Sequence, residues 1–262
     1  MYPVGIVGSE GLAAARDRLV DGLADHGTVA TVDRTRNVEP AGASTGTAYR
    51  LGPEGGWAAS GDGVGLGAAL DRLAPAHEYT VVTGHPEADI PHVAVGDPTY
   101  DGGPLLRADA PGALDPDAVA ESLAETTPHE TLESLVAGVK ESPQDDRAGA
   151  IATFTGRVRE RDDPDDDPTE YLEFETYDGV ARERMRDLES ELERREGVFA
   201  VRMHHRTGVV EAGEDIVFVV VLAGHRGEAF ETVSDGIDRL KAEVPIFKKE
   251  VTVDEEFWLH ER

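Results

Sequence analysis

Between Asp215 and Gly224 the chain carries a nearly continuous apolar run, Ile216-Val217-Phe218-Val219-Val220-Val221-Leu222-Ala223. A run this apolar, bounded by turn signals and rich in β-branched residues, reads as a buried strand. It constrains its surroundings, because buried strands need covering layers. Gly224-His225-Arg226-Gly227 follows, and Arg226 to Val244 has a helical period with Phe230, Val233, Ile237 and Leu240 on one face. Pro245 stops that helix, and Ile246 to Val253 reads as a final strand. Upstream, Ala148 to Val158, Thr169 to Tyr177 and Val198 to Gly208 also read as strands. Asp178 to Glu196 is a helix rich in Arg and Glu, closed by Gly197. The loop from Glu160 to Pro168, ERDDPDDDP, is dense in carboxylates. The order is α+β, with enough antiparallel neighbours to predict a mixed sheet.

The first half is patterned differently. Val4 to Val7 is a short apolar strand and Gly8 to Gly11 a turn. Leu12 to His26 repeats apolar residues at Leu12, Ala15, Leu19 and Leu23, and Thr28 to Val32 is the next strand. Tyr79 to Thr83 and His92 to Val95 read as buried strands beyond a Gly-rich stretch from Leu51 to Gly67. Asp115 to Leu123 reads as a helix capped by Asp115. Strands alternating with helices predict an α/β domain with a parallel sheet covered on both faces. Thr126 to Arg147 reads as a helix flanked by Pro128 and Pro143. Two domains are expected, residues 1–126 and 127–262.

Charge narrows the function. Asp and Glu total 53 against 25 Lys and Arg, a net charge of −28. Nucleic acid and anionic membranes repel such a chain, so neither is expected as a partner. The absence of cysteine removes disulfides, Fe–S clusters, thiolate zinc sites and a cysteine nucleophile. No apolar run approaches a membrane span, and the opening MYPVGIVGSE has no basic leader and too short an apolar stretch for a signal peptide, so a cytoplasmic protein is expected. The chain has one Asn (Asn37), one Gln (Gln144) and four lysines. Carboxylates in place of amides and lysines suit a surface adapted to high salt, where self-repulsion is screened. Three of the four lysines, Lys241, Lys248 and Lys249, fall within nine residues.

Gly8 sits where a phosphate-binding loop would, after a strand and before a helix, among Gly5, Gly8 and Gly11. A Walker loop counted from Gly8 needs Gly, Lys and a hydroxyl residue where this chain has Ala13, Ala14 and Ala15. Glu10 also opposes an anion there. This region, with the later VVTGHPEADIPHVAV, resembles the P-loop accessory protein MobB of molybdopterin-guanine dinucleotide biosynthesis, with the nucleotide chemistry lost. A structural or partner-docking domain is expected.

The second half holds the positive chemistry. His225 and Arg226 at a helix N-terminus combine backbone N–H groups, the helix dipole and a guanidinium fork, which suits phosphate or carboxylate. Lys241 lies near the far end of that helix, and strand alternation turns Lys248 and Lys249 to opposite faces. Arg157 and Arg159 close the strand after Phe154 and Gly156. Such a set, with no metal-ligand pattern, points to an anionic small-molecule substrate. His204-His205-Arg206 reads as structural, since one strand turns it both ways.

The ordered segments GAIATFTGRVR, LEFETYDGVARERM, HHRTGVVEAGEDIVFVVVLAGHRGEAFE and IDRLKAEVPIFKKE, with Phe257-Trp258 near the end, resemble the MoaE family over about residues 129–262. MoaE proteins are the large catalytic subunits of molybdopterin synthase. The resemblance implies an α+β fold of α/β-hammerhead type. It implies conversion of cyclic pyranopterin monophosphate (precursor Z) to the molybdopterin dithiolene. Sulfur would arrive as a thiocarboxylate on the C-terminal Gly-Gly of a small ubiquitin-like, MoaD-type carrier. Without cysteine this chain cannot hold that sulfur itself. The family's two essential lysines fall on Lys241 and Lys248, its pocket arginine on Arg159 and its His-Arg pair on His225 and Arg226. Phe154 and Ile237 would line the pterin pocket, with Trp258 and Arg262 at the family's C-terminal aromatic and basic positions. The resemblance implies no cofactor and no metal. It also implies a homodimer within a heterotetramer, in which Arg226 serves the neighbouring subunit's site. A non-catalytic scaffold for a ubiquitin-like protein is disfavoured by the intact Lys241 and Lys248, and a GTPase by Ala13 to Ala15.

Overall fold

The structure, a computed structural model, describes the chain except residues 36–46, 99, 101, 162, 164–166, 177–178, 253–255 and 260–262, and except the side chains of 256–259. It divides into two compact units, Met1–Glu130 and Thr131–Arg262.

Unit one comprises β1 (Tyr2–Gly8), α1 (Leu12–Leu23), β2 (Val29–Asp33), β3 (Ala48–Leu51), β4 (Trp57–Ser60), α2 (Leu66–Leu73), β5 (Tyr79–Thr83), β6 (His92–Val95), β7 (Leu106–Ala108) and α3 (Pro116–Ala124). Its main sheet runs β2-β5-β1-β6-β7 with parallel ladders. Ala15, Leu19 and Leu23 of α1 join Val119 and Leu123 of α3 over Val4, Ile6, Val81 and Val93. On the other face Leu70 of α2 and Ala74 pack with Met1 and Val82. Asp115 caps α3 by accepting from the Asp117 amide. The Gly-rich stretch hides more order than its composition suggests. It holds the turn of the β3–β4 hairpin, with Gly55 at φ 85°, and it leads directly into α2. Glycines there build turns, and strands of four residues leave little periodicity to read.

Unit two comprises α4 (Leu132–Lys140), β8 (Ala150–Arg157), β9 (Thr169–Thr176), α5 (Val180–Leu192), β10 (Val198–His205), β11 (Gly208–Glu211), β12 (Asp215–Ala223), α6 (Arg226–Glu243), β13 (Ile246–Thr252) and β14 (Glu256–Leu259). One sheet runs β10-β12-β8 and a second β11-β9-β13-β14, and every ladder in both is antiparallel. The expected mixed sheet is therefore two antiparallel sheets. The apolar run is explained by β12, the central strand of its sheet. Its Val217, Val219 and Val221 face Leu188 and Leu192 of α5 and Ile237 and Leu240 of α6. Its Phe218, Val220 and Leu222 face Leu135 and Val139 of α4.

Two expectations are corrected. The helix expected over Thr126–Arg147 is only Leu132–Lys140, followed by a 3-10 turn at Asp145–Arg147. A reciprocal capping box between Thr131 and Ser134 sets its start. The buried stripe of α6 is Ala229, Thr232, Gly236, Ile237 and Leu240, while Phe230 is 65% exposed. One position past Ala229 is about 100° around the helix, which takes Phe230 off the buried side.

The edge strand β10 is closed by carboxylates. Glu189 of α5 accepts from the Met203 amide at 2.6 Å, and Glu193 accepts from the Val201 amide at 2.8 Å. These acceptors satisfy N–H groups that would otherwise invite another strand. Burial pushes the Glu189 carboxyl from its ordinary 4.5 up to about 7. The folded chain thus holds this proton more tightly than the unfolded chain. The associated stability is full below about pH 4.5 and is lost as the pH rises through about 7. Glu189→Gln keeps an acceptor and carries no charge. It is expected to unfold at higher temperature than the parent at about pH 8, by up to about 3 kcal/mol of stability, and to lose that advantage near pH 4.5. Melting curves at the two pH values check this, and a gap independent of pH would refute it.

Candidate functional site

The topology sorts the cationic residues between two ends of unit two. β8 runs antiparallel to β12, with Arg157 opposite Asp215 and Ala150 opposite Ala223. Arg159 therefore lies beyond the Asp215 end, whereas His225 and Arg226 lie beyond the Ala223 end. Nine residues of strand span about 27 Å. The helix α6 then packs back over β8 and β12, with Gly236 so close that an added Cβ would meet Val219 Cγ1 and Met203 Cε, each at 3.1 Å. Its last turn, with Lys241, thus returns to the Arg159 end. From Arg226 to Lys241 is fifteen residues, or about 22 Å of helix. Within one chain His225 and Arg226 do not join the other cations.

At the Arg159 end the side chains can be followed one by one. Arg157 is engaged by Asp215 at 3.2 Å and by the Gly213 carbonyl. Val158 is buried with Phe174, Leu172, Val210 and Ile246, which holds the chain at Arg159 against the second sheet. Lys248 lies directly opposite Phe174 across the β13–β9 ladder, and Lys249 opposite Glu173. Directly paired residues share a face, so Lys248 is on the side of Phe174 and Leu172 while Lys249 is on the other. Lys249 Nζ sits 3.6 Å from Glu173 there, and Lys248 Nζ is 4.0 Å from Glu250. Lys241 is exposed and takes no hydrogen bond or ion pair among the described residues. The nearest carboxylate in sequence, Glu243, is occupied elsewhere. Arg239 and Arg184 both bond it, and Glu191 binds the same two arginines. Those two guanidinium partners, Arg239 first, pull the Glu243 carboxyl down to about 2.

Phe154 packs against the cluster that contains Ile237, so these two residues share one apolar wall. At the other end His225 caps α6 in extended conformation with no side-chain cap bond, and it and Arg226 are exposed. Arg262 lies outside the described residues, and for Trp258 only the backbone pairing, opposite Lys249, is described. His204 is buried and stacked near Phe218, and Arg206 donates to the Asp215 carbonyl at 3.1 Å. His205 meets Phe174 edge-on at 4.8 Å, which brings it behind the residue paired with Lys248. The dipeptide pattern alone gave no sign of that contact. A cavity of about 360 Å³ in unit two is lined by Glu228, Glu231 and Asp235 with Arg195, and by none of the candidate residues. Its carboxylates would repel an anionic substrate. Among the described residues no group of three or more His, Asp or Glu is placed to hold a metal, and no helix is long and apolar enough to cross a membrane.

Comparison with known proteins gives these positions a context. The family described as MoaE protein matches residues 125–243. A protein of Haloferax volcanii named probable molybdopterin synthase is 50% identical over 265 residues, covering all of both chains. The molybdopterin synthase catalytic subunit of Pyrococcus abyssi is 39% identical over 111 residues, 42% of this chain and 74% of that one. Among solved structures, molybdopterin synthase from Staphylococcus aureus is 29% identical over 51% of this chain and 93% of its own, with a TM-score of 0.45. On its full-length likeness and its matched domain, the chain belongs to the MoaE family, the catalytic subunits of the sulfur-transferring enzyme molybdopterin synthase in molybdenum cofactor biosynthesis.

Proposed function

We propose that unit two takes sulfur from the C-terminal thiocarboxylate of a small ubiquitin-like, MoaD-type carrier and builds the dithiolene on cyclic pyranopterin monophosphate. The observation that carries this reading is the return of Lys241 to the end of the unit where Arg159 and the Phe174 face bearing Lys248 lie. In this reading Arg159 holds the substrate phosphate through its guanidinium fork. The thiocarboxylate sulfur attacks a side-chain carbon of the pterin, and the departing oxygen takes a proton from the ammonium of Lys241 or Lys248. Water then releases the carrier's C-terminal glycine as a carboxylate and leaves one sulfur on the pterin; a second thiocarboxylated carrier repeats the step at the neighbouring carbon to complete the dithiolene. Phe154 and Ile237 face the flat ring system, and Arg262, at the family's C-terminal basic position, is assigned to substrate binding. The absence of cysteine supports an external sulfur donor.

His225 and Arg226 enter the site from a second copy of the chain, because about 22 Å of helix separates Arg226 from Lys241 in their own copy. This makes the working unit a homodimer with one carrier for each copy. Unit one serves as a MobB-like, degenerate P-loop domain for docking and not for nucleotide chemistry. Its opening strand, turn and helix support that reading, with Ala13 to Ala15 in place of the phosphate-binding residues. The excess of carboxylates over basic residues supports an enzyme that works in a salt-rich cytoplasm.

The test is incubation of the full chain with precursor Z and a thiocarboxylated carrier in molar salt. Formation of the dithiolene product, dependent on both reactants, is expected. A properly folded chain that forms no product with any Gly-Gly thiocarboxylate carrier would overturn the reading.

A further inference from the structure

Lys248 faces a hydrogen-bonded relay that starts on a different strand. Its ammonium faces Glu250 Oε2 at 4.0 Å, on the same face of β13. The other oxygen of that carboxylate, Oε1, accepts a 2.6 Å hydrogen bond from the Thr169 hydroxyl. Thr169 is buried at the start of β9, and its backbone amide donates to the Glu160 carbonyl at 2.8 Å, beside Arg159. One threonine therefore closes the base of the acidic loop at Arg159 and fixes the carboxylate that faces Lys248.

The ladder shows why Thr169 can reach. Glu250 pairs with Leu172 and Val251 with Tyr171, but Thr252 pairs with Thr169 and leaves Glu170 as an extra residue. In regular alternation Thr169 would share the face of Tyr171, away from Glu250. A bulge of one residue reverses that alternation and re-aims the side chain beyond it. It turns the Thr169 hydroxyl to the face of Leu172, Glu250 and Lys248. The sequence pattern of β9 carries no signal for this.

We propose that Thr169 is a positioning residue that acts through Glu250 to hold the Lys248 ammonium in place, at the strand end that carries Arg159. The proposal rests on the role given to Lys248 above. A misplaced reacting group costs turnover more than substrate affinity. The clamp is therefore read in kcat.

The experiment uses the full chain with its thiocarboxylated carrier and precursor Z. Thr169→Val removes the hydroxyl and keeps the shape. It is expected to lower kcat at least about tenfold with KM for the pterin within about twofold, and Thr169→Ser is expected to restore kcat. A second readout needs no turnover. Brief acetylation with acetic anhydride, followed by peptide mass spectrometry, compares Lys248 with Lys140. An ammonium held by a carboxylate acylates slowly, so Thr169→Val is expected to speed Lys248 labelling about threefold or more and leave Lys140 unchanged. Glu250→Gln keeps an acceptor for Thr169 but removes the charge facing Lys248, and is expected to have the same effect on labelling. It decides the matter if the valine variant fails to fold. Unchanged Lys248 labelling in the folded variants, or a kcat loss that serine does not restore, would overturn the clamp. A wild-type chain without dithiolene activity would sink the functional reading instead, and labelling would still decide the clamp.

Discussion

Lys248→Ala and Lys241→Ala are each expected to lower the rate of dithiolene formation by about 10²–10³-fold, whereas Lys249→Ala is expected to stay within a few-fold of the parent. Each of the first two removes a positive charge and a proton donor from the end of unit two that carries Arg159. An interaction made with a departing oxygen is worth most in the transition state, so the loss falls on kcat. Lys249 has neither position. It stands on the opposite face of β13, 3.6 Å from Glu173. Folding is not at stake at Lys241, which is exposed and pairs with no described residue. At Lys248, 22% exposed beside Glu250, circular dichroism separates a folding defect from a catalytic one. Single-turnover assays with preformed carrier thiocarboxylate measure the chemical step. Equal losses for all three variants would show that the cluster acts only through its summed charge.

A mixture of two inactive variants is expected to regain about a quarter of the parent activity, if one is Lys241→Ala and the other Arg226→Ala. The separation of these residues along α6 excludes a site that takes both from one chain. In the proposed two-fold dimer each site would combine Lys241 of one copy with Arg226 of the other. A mixed dimer then holds one doubly damaged site and one intact site. Random exchange puts half of the subunits into mixed dimers, and half of their sites are intact. Each variant alone has none. The copies must be dissociated and reassembled together, and product formation scored against separately refolded controls. No recovery on mixing, with mixed dimers verified by tagging, would mean that Arg226 does not serve a partner's site.

Much of this protein was legible from residue order. The apolar run of β12 announced a strand, and Pro245 separated α6 from β13 at the observed place. Local signals did this, because helix period, caps and breakers act over a few residues. Asp115 at its cap shows the same thing. The spacing of Lys241 and Lys248 is local in the same sense, since a proline-stopped helix and the strand after it keep both lysines near one end. Other features depended on neighbours distant in sequence. Phe230 carried the apolar period yet faces out, because the sheet lies on the side of Ala229 and Gly236. The helix expected over Thr126–Arg147 shrank to the turns that a Thr131–Ser134 cap begins and α4 can bury. Strand direction in unit two is set by which ladders satisfy the backbone, and an apolar pattern reads the same in parallel and antiparallel sheets. The separation of His225 and Arg226 from Arg159 followed from that direction. The aim of Thr169 followed from a single extra residue in a ladder. Sequence alone determined which groups this chain has for its chemistry and which elements bear them. Tertiary structure decided which of those groups meet, because contact between distant segments is fixed by strand register and by the face each helix buries.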